Sequence, residues 1–120
     1  MRVVLVTGAA QGVGFATAKL FAETGHHVVM TDVQPLDAQI ETLAALGGSV
    51  SALSGDVSSE EFVIVLAEKI AREHEAAHVL VNNAGISLIC PAEETSVEQW
   101  QRVMSINLTG PFMLDRKSVV

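Results

Sequence analysis

Three glycines, Gly8, Gly12 and Gly14, follow Thr7 at the end of an apolar run, and an aspartate, Asp32, stands some two dozen residues further on. Bare backbone at a strand-to-helix turn offers free N–H groups to an anion, and the stretch Thr7-Gly8-Ala9-Ala10-Gln11-Gly12-Val13-Gly14 is suited to a diphosphate. Gly8 permits a tight turn, Gly12 has no side chain to hold phosphates away, and Gly14 lets a helix approach a sheet closely. The N–H of Val13 belongs to the first turn of that helix, where backbone donors have no intrahelical partner. Glycines are also common at ligand-free turns, and three residues separate Gly8 from Gly12, a departure from the simplest GxGxxG spacing.

Asp32, with Val33 beside it, narrows the chemistry. A carboxylate after the second strand can accept from both hydroxyls of a ribose and repels a 2′-phosphate, which favours NAD over NADP. The alternative is that Asp32 only caps a turn ahead of Pro35. Asp56 and the run Asn82-Asn83-Ala84-Gly85 follow later strands. They stand at the ends where parallel sheets bind ligands, although each residue type is also an ordinary loop former.

The elements that must position these groups can be read from apolar patterning. Val3–Val6 is an apolar run that predicts a buried strand. Residues 13–24 predict a helix with Val13, Ala16, Ala18, Leu20 and Phe21 on its packed face and Gly25 as its stop. His27–Thr31 predicts a second strand ending at Asp32, and Pro35 opens a helix to about Leu46, halted by Gly47-Gly48. Val50–Leu53 is a weaker third strand. Ser58 as cap would place Glu61 at the capping-box position of a helix reaching about Glu75, lined by Phe62, Val65, Leu66 and Ile70. Val79–Val81 is a fourth strand. After a loop over 86–94, Thr95 or Ser96 caps a last helix with Val97, Trp100, Met104 and Leu108 in one stripe, which Gly110-Pro111 should disturb. Strands alternating with helices predict parallel pairing and right-handed crossovers.

Bulk composition excludes several classes of function. Apolar residues are 49% and aromatics only 4%, so the core is aliphatic, as strands covered on both faces require. The net charge is -7 and no basic stripe exists, which argues against nucleic acid. No apolar run is long enough to span a membrane, and the N-terminus does not read as a signal peptide. The single Cys90 excludes an internal disulfide and points to a reducing, cytoplasmic setting.

His74-Glu75-Ala76-Ala77-His78 matches the zinc-protease pattern His-Glu-x-x-His. That chemistry needs both imidazoles on one continuous helix, and His78 abuts a predicted strand, so no metal site is expected. His26 and His27 are expected to be partly exposed, and Cys90 has no evident partner.

Together, the Thr7–Gly14 loop, Asp32, Asp56-Val57, Asn82-Asn83-Ala84-Gly85 and Ile106-Asn107 resemble the N-terminal half of a classical short-chain dehydrogenase/reductase, over about residues 2–114. The resemblance implies a three-layer αβα Rossmann-like parallel sheet, truncated after its fourth strand and the helix that follows. Residues 1–120 would form the N-terminal, dinucleotide-binding part of a single domain.

It also implies that Asp56 bonds the adenine amino group with the Val57 backbone nearby, and that Thr7 ties the glycine loop together. Gln11, where many relatives have a small polar residue, would belong to the cofactor loop. Asn83, Ala84 and Gly85 would pass beside the adenine-side ribose, with Ile106 in the same site. Asn107 would match the asparagine that orders a water in the proton relay; on its residue type alone, it could equally satisfy a neighbouring carbonyl.

The family's Tyr-x-x-x-Lys pair has no counterpart, because the sequence contains no tyrosine. Lys117 and Ser118 have suitable types but not the position, and 115–120 does not read as a continuation of the family helix. The expectation is therefore NAD-dependent hydride transfer to or from a small alcohol or ketone in a complete protein. The alternative is an inactive NAD-binding fragment or truncated isoform, pairing with a full-length subunit or with itself through the last helix.

Overall fold

The computed structural model describes residues 1–118. Its centre is a parallel sheet of β1 (Val3–Thr7), β2 (His27–Asp32), β3 (Ser49–Ser54) and β4 (Val79–Val81), in the order β3-β2-β1-β4. The register sets Val3 against His27, Val4 against Val79 and His27 against Ser49. All four strands therefore point the same way, and their carboxyl ends meet along one rim.

The pleat sorts alternate residues to opposite faces. Val4, Val6, Val28 and Met30 pack under α1 (Gly12–Glu23) and α2 (Asp37–Ala45) with Ala18, Ala22, Leu36 and Leu43. Val3, Leu5 and Val29 pack against α3 (Glu60–His74) with Val63, Leu66 and Ile70. Beyond α3 lie α4 (Val97–Met104), a π turn (Ser105–Thr109) and α5 (Gly110–Ser118), whose Met113 and Leu114 join the same core. The expected three-layer arrangement of sheet between helices is present, and β4 forms one edge of the sheet.

Several local expectations are corrected. Ser59, not Ser58, caps α3 by accepting from the Phe62 N–H, because the Ser58 hydroxyl and N–H are both engaged by Asp56. On α3, Val63 is buried and Val65 is 52% exposed, so the core-facing stripe runs through the position two residues earlier. On α1, Val13 and Leu20 face solvent, while the small residues Gly14, Ala18 and Ala22 are buried and bring the helix close to the sheet. Helix α2 starts at Asp37, after Pro35 and Leu36.

Gly110-Pro111 does not interrupt the last helix. The irregularity lies just before it, in the π turn, where the Gly110 N–H donates to the Ser105 carbonyl. Pro111 follows this turn directly, and the helical backbone runs on through it into α5. The helix continues through Asp115–Ser118, and the buried Ser118 accepts the Ala77 N–H at its carbonyl. Val119 and Val120 lie outside the described residues.

His27 is also corrected. It is a buried member of β2, with Nδ1 2.7 Å from Ser49 Oγ and Nε2 3.1 Å from Ser51 Oγ. The His-Glu-x-x-His run is broken as its spacing predicts: α3 ends at His74, Glu75 turns to φ 72°, and His78 accepts the Val3 N–H through Nδ1.

Candidate functional site

The carboxyl rim of the sheet opens into a groove of about 440 Å³. The glycine loop supplies Gly8, Gln11, Gly12 and Val13 to its wall, and the end of β2 supplies Asp32 and Val33. The turn after β3 contributes Asp56 and Val57, and the turn after β4 contributes Asn83, Ala84 and Gly85, with Ile106 arriving from the π turn. Parallel pairing makes this convergence inevitable, since each strand releases its turn at the same end. Thr7 and Gly14 are buried behind this wall, and Asn107 stands beside it.

The loop is held from several directions. Thr7 Oγ1 accepts from the N–H groups of Asn83 (3.0 Å) and Ala84 (2.9 Å), joining the ends of β1 and β4. Asn83 Nδ2 donates to the carbonyls of Thr7 and Gly8. Ala10 is gripped at both polar atoms: its N–H donates to Asp32 Oδ2 at 2.9 Å, and its carbonyl accepts from Gln39 Nε2 at 2.8 Å. A methyl at Gly14 would fall on the Gly8 carbonyl and the Asn83 amide, so only glycine fits. Gly12 is the opposite case, with φ 59° and nothing within 4 Å of where a Cβ would stand, leaving its backbone bare.

The start of α1 differs from those of α2, α3 and α4. Ser59 caps α3, with Glu60 and Glu61 in the first turn, and Ser96 forms a capping box with Gln99 on α4, with Glu98 beside it. Helix α2 lacks a side-chain cap but has Asp37 in its first turn. Helix α1 has neither a side-chain cap on extended Gln11 nor an acid in its first turn. Its free N–H groups and the positive end of its dipole face the groove unneutralised.

Asp32 forms the turn that was the alternative reading and also grips the glycine loop. Its Oδ1 accepts from the Gln34 N–H at 3.0 Å, forming the turn before Pro35, while its Oδ2 holds Ala10. Because each carboxylate oxygen has two lone pairs, acceptor capacity remains on the groove side. Asp56 Oδ1 accepts from Ser58 N–H (2.9 Å) and Oγ (2.7 Å), and its Oδ2 pairs with Arg102 Nη1 at 3.2 Å. Partial burial pushes the Asp56 carboxyl up, but the Ser58 hydrogen bonds and the Arg102 guanidinium outweigh it and hold the group below its usual value. Asn107 clamps the Ile86 peptide, accepting its N–H at 2.9 Å and donating to its carbonyl at 2.7 Å.

Gln34, Gly55, Ile86 and Arg102 also line the groove and were not found from sequence. Gln34 and Gly55 adjoin assigned positions, so turn geometry could have suggested them. Arg102 carries no such signal, since it is one polar residue among several on α4. Among the described residues, no group of three or more His, Cys, Asp or Glu side chains is placed to hold a metal, and no helix is long and apolar enough to cross a membrane.

Comparison with known proteins agrees with this geometry. A 3beta-hydroxysteroid dehydrogenase of Eggerthella lenta is 36% identical over 121 residues, covering 98% of this chain and 46% of that protein. A D-threitol dehydrogenase of Mycolicibacterium smegmatis is 39% identical over 117 residues, covering 94% and 44%. The crystal structure of L-sorbose reductase from Gluconobacter frateurii, complexed with NADPH and L-sorbose, superposes with a TM-score of 0.93 at 29% identity, covering 98% of this chain and 46% of that one. The chain thus spans about half the length of the curated relatives it matches. The family model for short chain dehydrogenases matches residues 2–119, and the chain belongs to that family of nicotinamide-dependent oxidoreductases.

Proposed function

We propose that this chain binds NAD along the rim groove, as the dinucleotide-binding part of an oxidoreductase that moves hydride between the nicotinamide and a small alcohol or ketone. The observation that carries this reading is the open N-terminus of α1, with the bare Gly12 backbone beside it. An anion supplies the negative charge that side chains supply at the starts of α2, α3 and α4.

In this reading the diphosphate lies against Gly8, Gln11, Gly12 and Val13, with Thr7 and Gly14 fixing the loop behind it. Asp32, beside Val33, takes the ribose hydroxyls and disfavours a 2′-phosphate. Asp56 and the Val57 backbone take the adenine, while Asn83, Ala84, Gly85 and Ile106 pass along the sugar side. Asn107 holds the Ile86 peptide and orders a water for proton transfer. The bound cofactor supplies the hydride chemistry, and the chain supplies its placement. An alcohol or ketone substrate is in keeping with relatives named for D-threitol, L-sorbose and a 3beta-hydroxysteroid.

A second reading rests on the absence of tyrosine from the sequence. These residues alone bind the dinucleotide without turning it over and pair with a full-length subunit or with themselves. The exposed Val97, Trp100 and Leu108 on and after α4 support such pairing. A cytoplasmic, reducing setting accompanies either reading.

Calorimetric titration with NAD and NADP tests the cofactor assignment. NAD should bind more tightly, and Asp32→Ala should shift the preference toward NADP by about tenfold or more. Tighter NADP binding by the unaltered chain would overturn the role of Asp32. Binding of neither would overturn the proposed function, and hydride transfer by these residues alone would overturn the second reading.

A further inference from the structure

Asp32 is held at both carboxylate oxygens, and the two holds differ in origin. Oδ1 accepts from the Gln34 N–H at 3.0 Å, within the turn that Asp32 itself begins. Oδ2 accepts at 2.9 Å from the Ala10 N–H, which belongs to the glycine loop, 22 residues earlier. The first bond alone leaves the carboxylate free to pivot about one oxygen. The second fixes its plane, and it lasts only while Ala10 stays in place.

Ala10 is kept in place from α2. Its carbonyl accepts from Gln39 Nε2 at 2.8 Å, so the residue is pinned between Gln39 on one side and Asp32 on the other. Gln39 stands in the first turn of α2 and does not itself line the groove. Its other amide atom, Oε1, is buried, and no donor among the described residues reaches it. The side chain therefore satisfies one acceptor, the Ala10 carbonyl, while burying another without a partner. Such an exchange contributes little net stability. What the amide secures is the position of Ala10.

We infer that Gln39 is a positioning residue for dinucleotide specificity: through Ala10 it fixes the Asp32 carboxylate, and so sharpens the preference for a free 2′-hydroxyl over a 2′-phosphate. This inference rests on the dinucleotide reading of the groove. A fixed carboxylate offers its remaining lone pairs to a ribose diol at constant geometry and cannot turn away from a phosphate. A carboxylate that pivots loses its aim at the hydroxyls and swings clear of the added charge, so both halves of the discrimination fall together.

Calorimetric titration with NAD and NADP, paired with urea melts, tests this. The unaltered chain should prefer NAD. Gln39→Met, similar in length but without a donor, should weaken NAD more than NADP and shrink the ratio of their affinities by about threefold or more, the scale of one hydrogen bond. Its melt should stay cooperative, with a midpoint close to that of the unaltered chain. Gln39→Asn, one methylene shorter, should shrink the ratio in the same way. In an Asp32→Ala background, Gln39→Met should leave the ratio unmoved, because the residue acts through that carboxylate. An unchanged ratio, equal weakening of the two dinucleotides, or the same shift in the Asp32→Ala background overturns the inference while leaving NAD binding intact. Loss of the cooperative melt in both variants makes Gln39 a structural residue and overturns it as well. A preference of the unaltered chain for NADP overturns the role of Asp32, and binding of neither dinucleotide overturns the proposed function; the inference falls with either.

Discussion

In β1, Val4, Leu5 and Val6 are completely buried, whereas on and after α4 Val97, Trp100 and Leu108 are 70%, 60% and 59% exposed. Both stretches are apolar at the period of their own secondary structure. In β1 the alternation finds a covering layer on each side of the sheet, and both faces become core. Around α4 the stripe has no covering layer among the described residues, and Ile89, in the loop before it, is 100% exposed. An apolar pattern specifies which face wants cover. It does not specify what provides it, and exposed surface of this kind commonly marks an interaction site.

The sharpest way to break this comparison is at the tight end of the glycine loop. Gly14→Val should cost about 3 kcal/mol or more, because its side chain would overlap the Gly8 carbonyl and the Asn83 amide; loss of the far-ultraviolet dichroism or of a cooperative denaturant transition would report it. Gly12→Ala, in open space, should fold with only about 1–2 kcal/mol of backbone strain. If both variants melt alike, the close packing of α1 on the sheet is wrong.

The next contrast lies on one helix. Leu66→Ala should cost about 2–5 kcal/mol, and Val65→Ala, one residue away, within about 0.5 kcal/mol of nothing. Equal losses in urea melts would restore the stripe expected from sequence. Thr7→Val should cost about 1–3 kcal/mol, since the Asn83 and Ala84 N–H groups would lose the same acceptor.

A pH series separates the two regions again. Burial first, and then neighbouring His74, hold the His27 imidazole below its ordinary value; Glu73 opposes this in part and Lys69 adds to it. The unfolded chain therefore binds its proton at higher pH than the fold does. The contribution is complete above the ordinary imidazole value of about 6.5 and is lost as pH falls through the lowered folded value. His27→Asn should flatten that part of the stability profile, and an unchanged slope would remove His27 as its source. Trp100→Ser should have the smallest effect on stability, within about 0.5 kcal/mol, yet reduce self-association in sedimentation. A monodisperse monomer before and after the change would refute pairing through this stripe.

Element types and their order were legible in the sequence because aliphatic runs and glycine turns alternate cleanly along it. The groove was legible too, since most residues chosen for it stand at carboxyl ends of strands, and parallel pairing brings those ends together. What escaped depended on contacts between distant residues. Ser58 and Ser59 are both competent caps, and the choice falls to Ser59 only because Asp56 engages Ser58. His27 reads as polar and exposed until β3 brings Ser49 and Ser51 to both ring nitrogens. Arg102 acquires a role only when α4 meets a turn far away in sequence. The helix fault expected at Gly110-Pro111 lies instead in the π turn before it, where the extra residue is taken up and the helix then runs on.

The double grip on Ala10 reaches beyond geometry. With its amide and carbonyl both committed to Asp32 and Gln39, that peptide loses its rotational freedom when the chain folds, long before a ligand arrives. An incoming anion then meets a mould already set, and little of its attraction is diverted into ordering the loop. Severing the Gln39 tether, as in Gln39→Leu, should therefore slow capture of the dinucleotide more than it hastens escape.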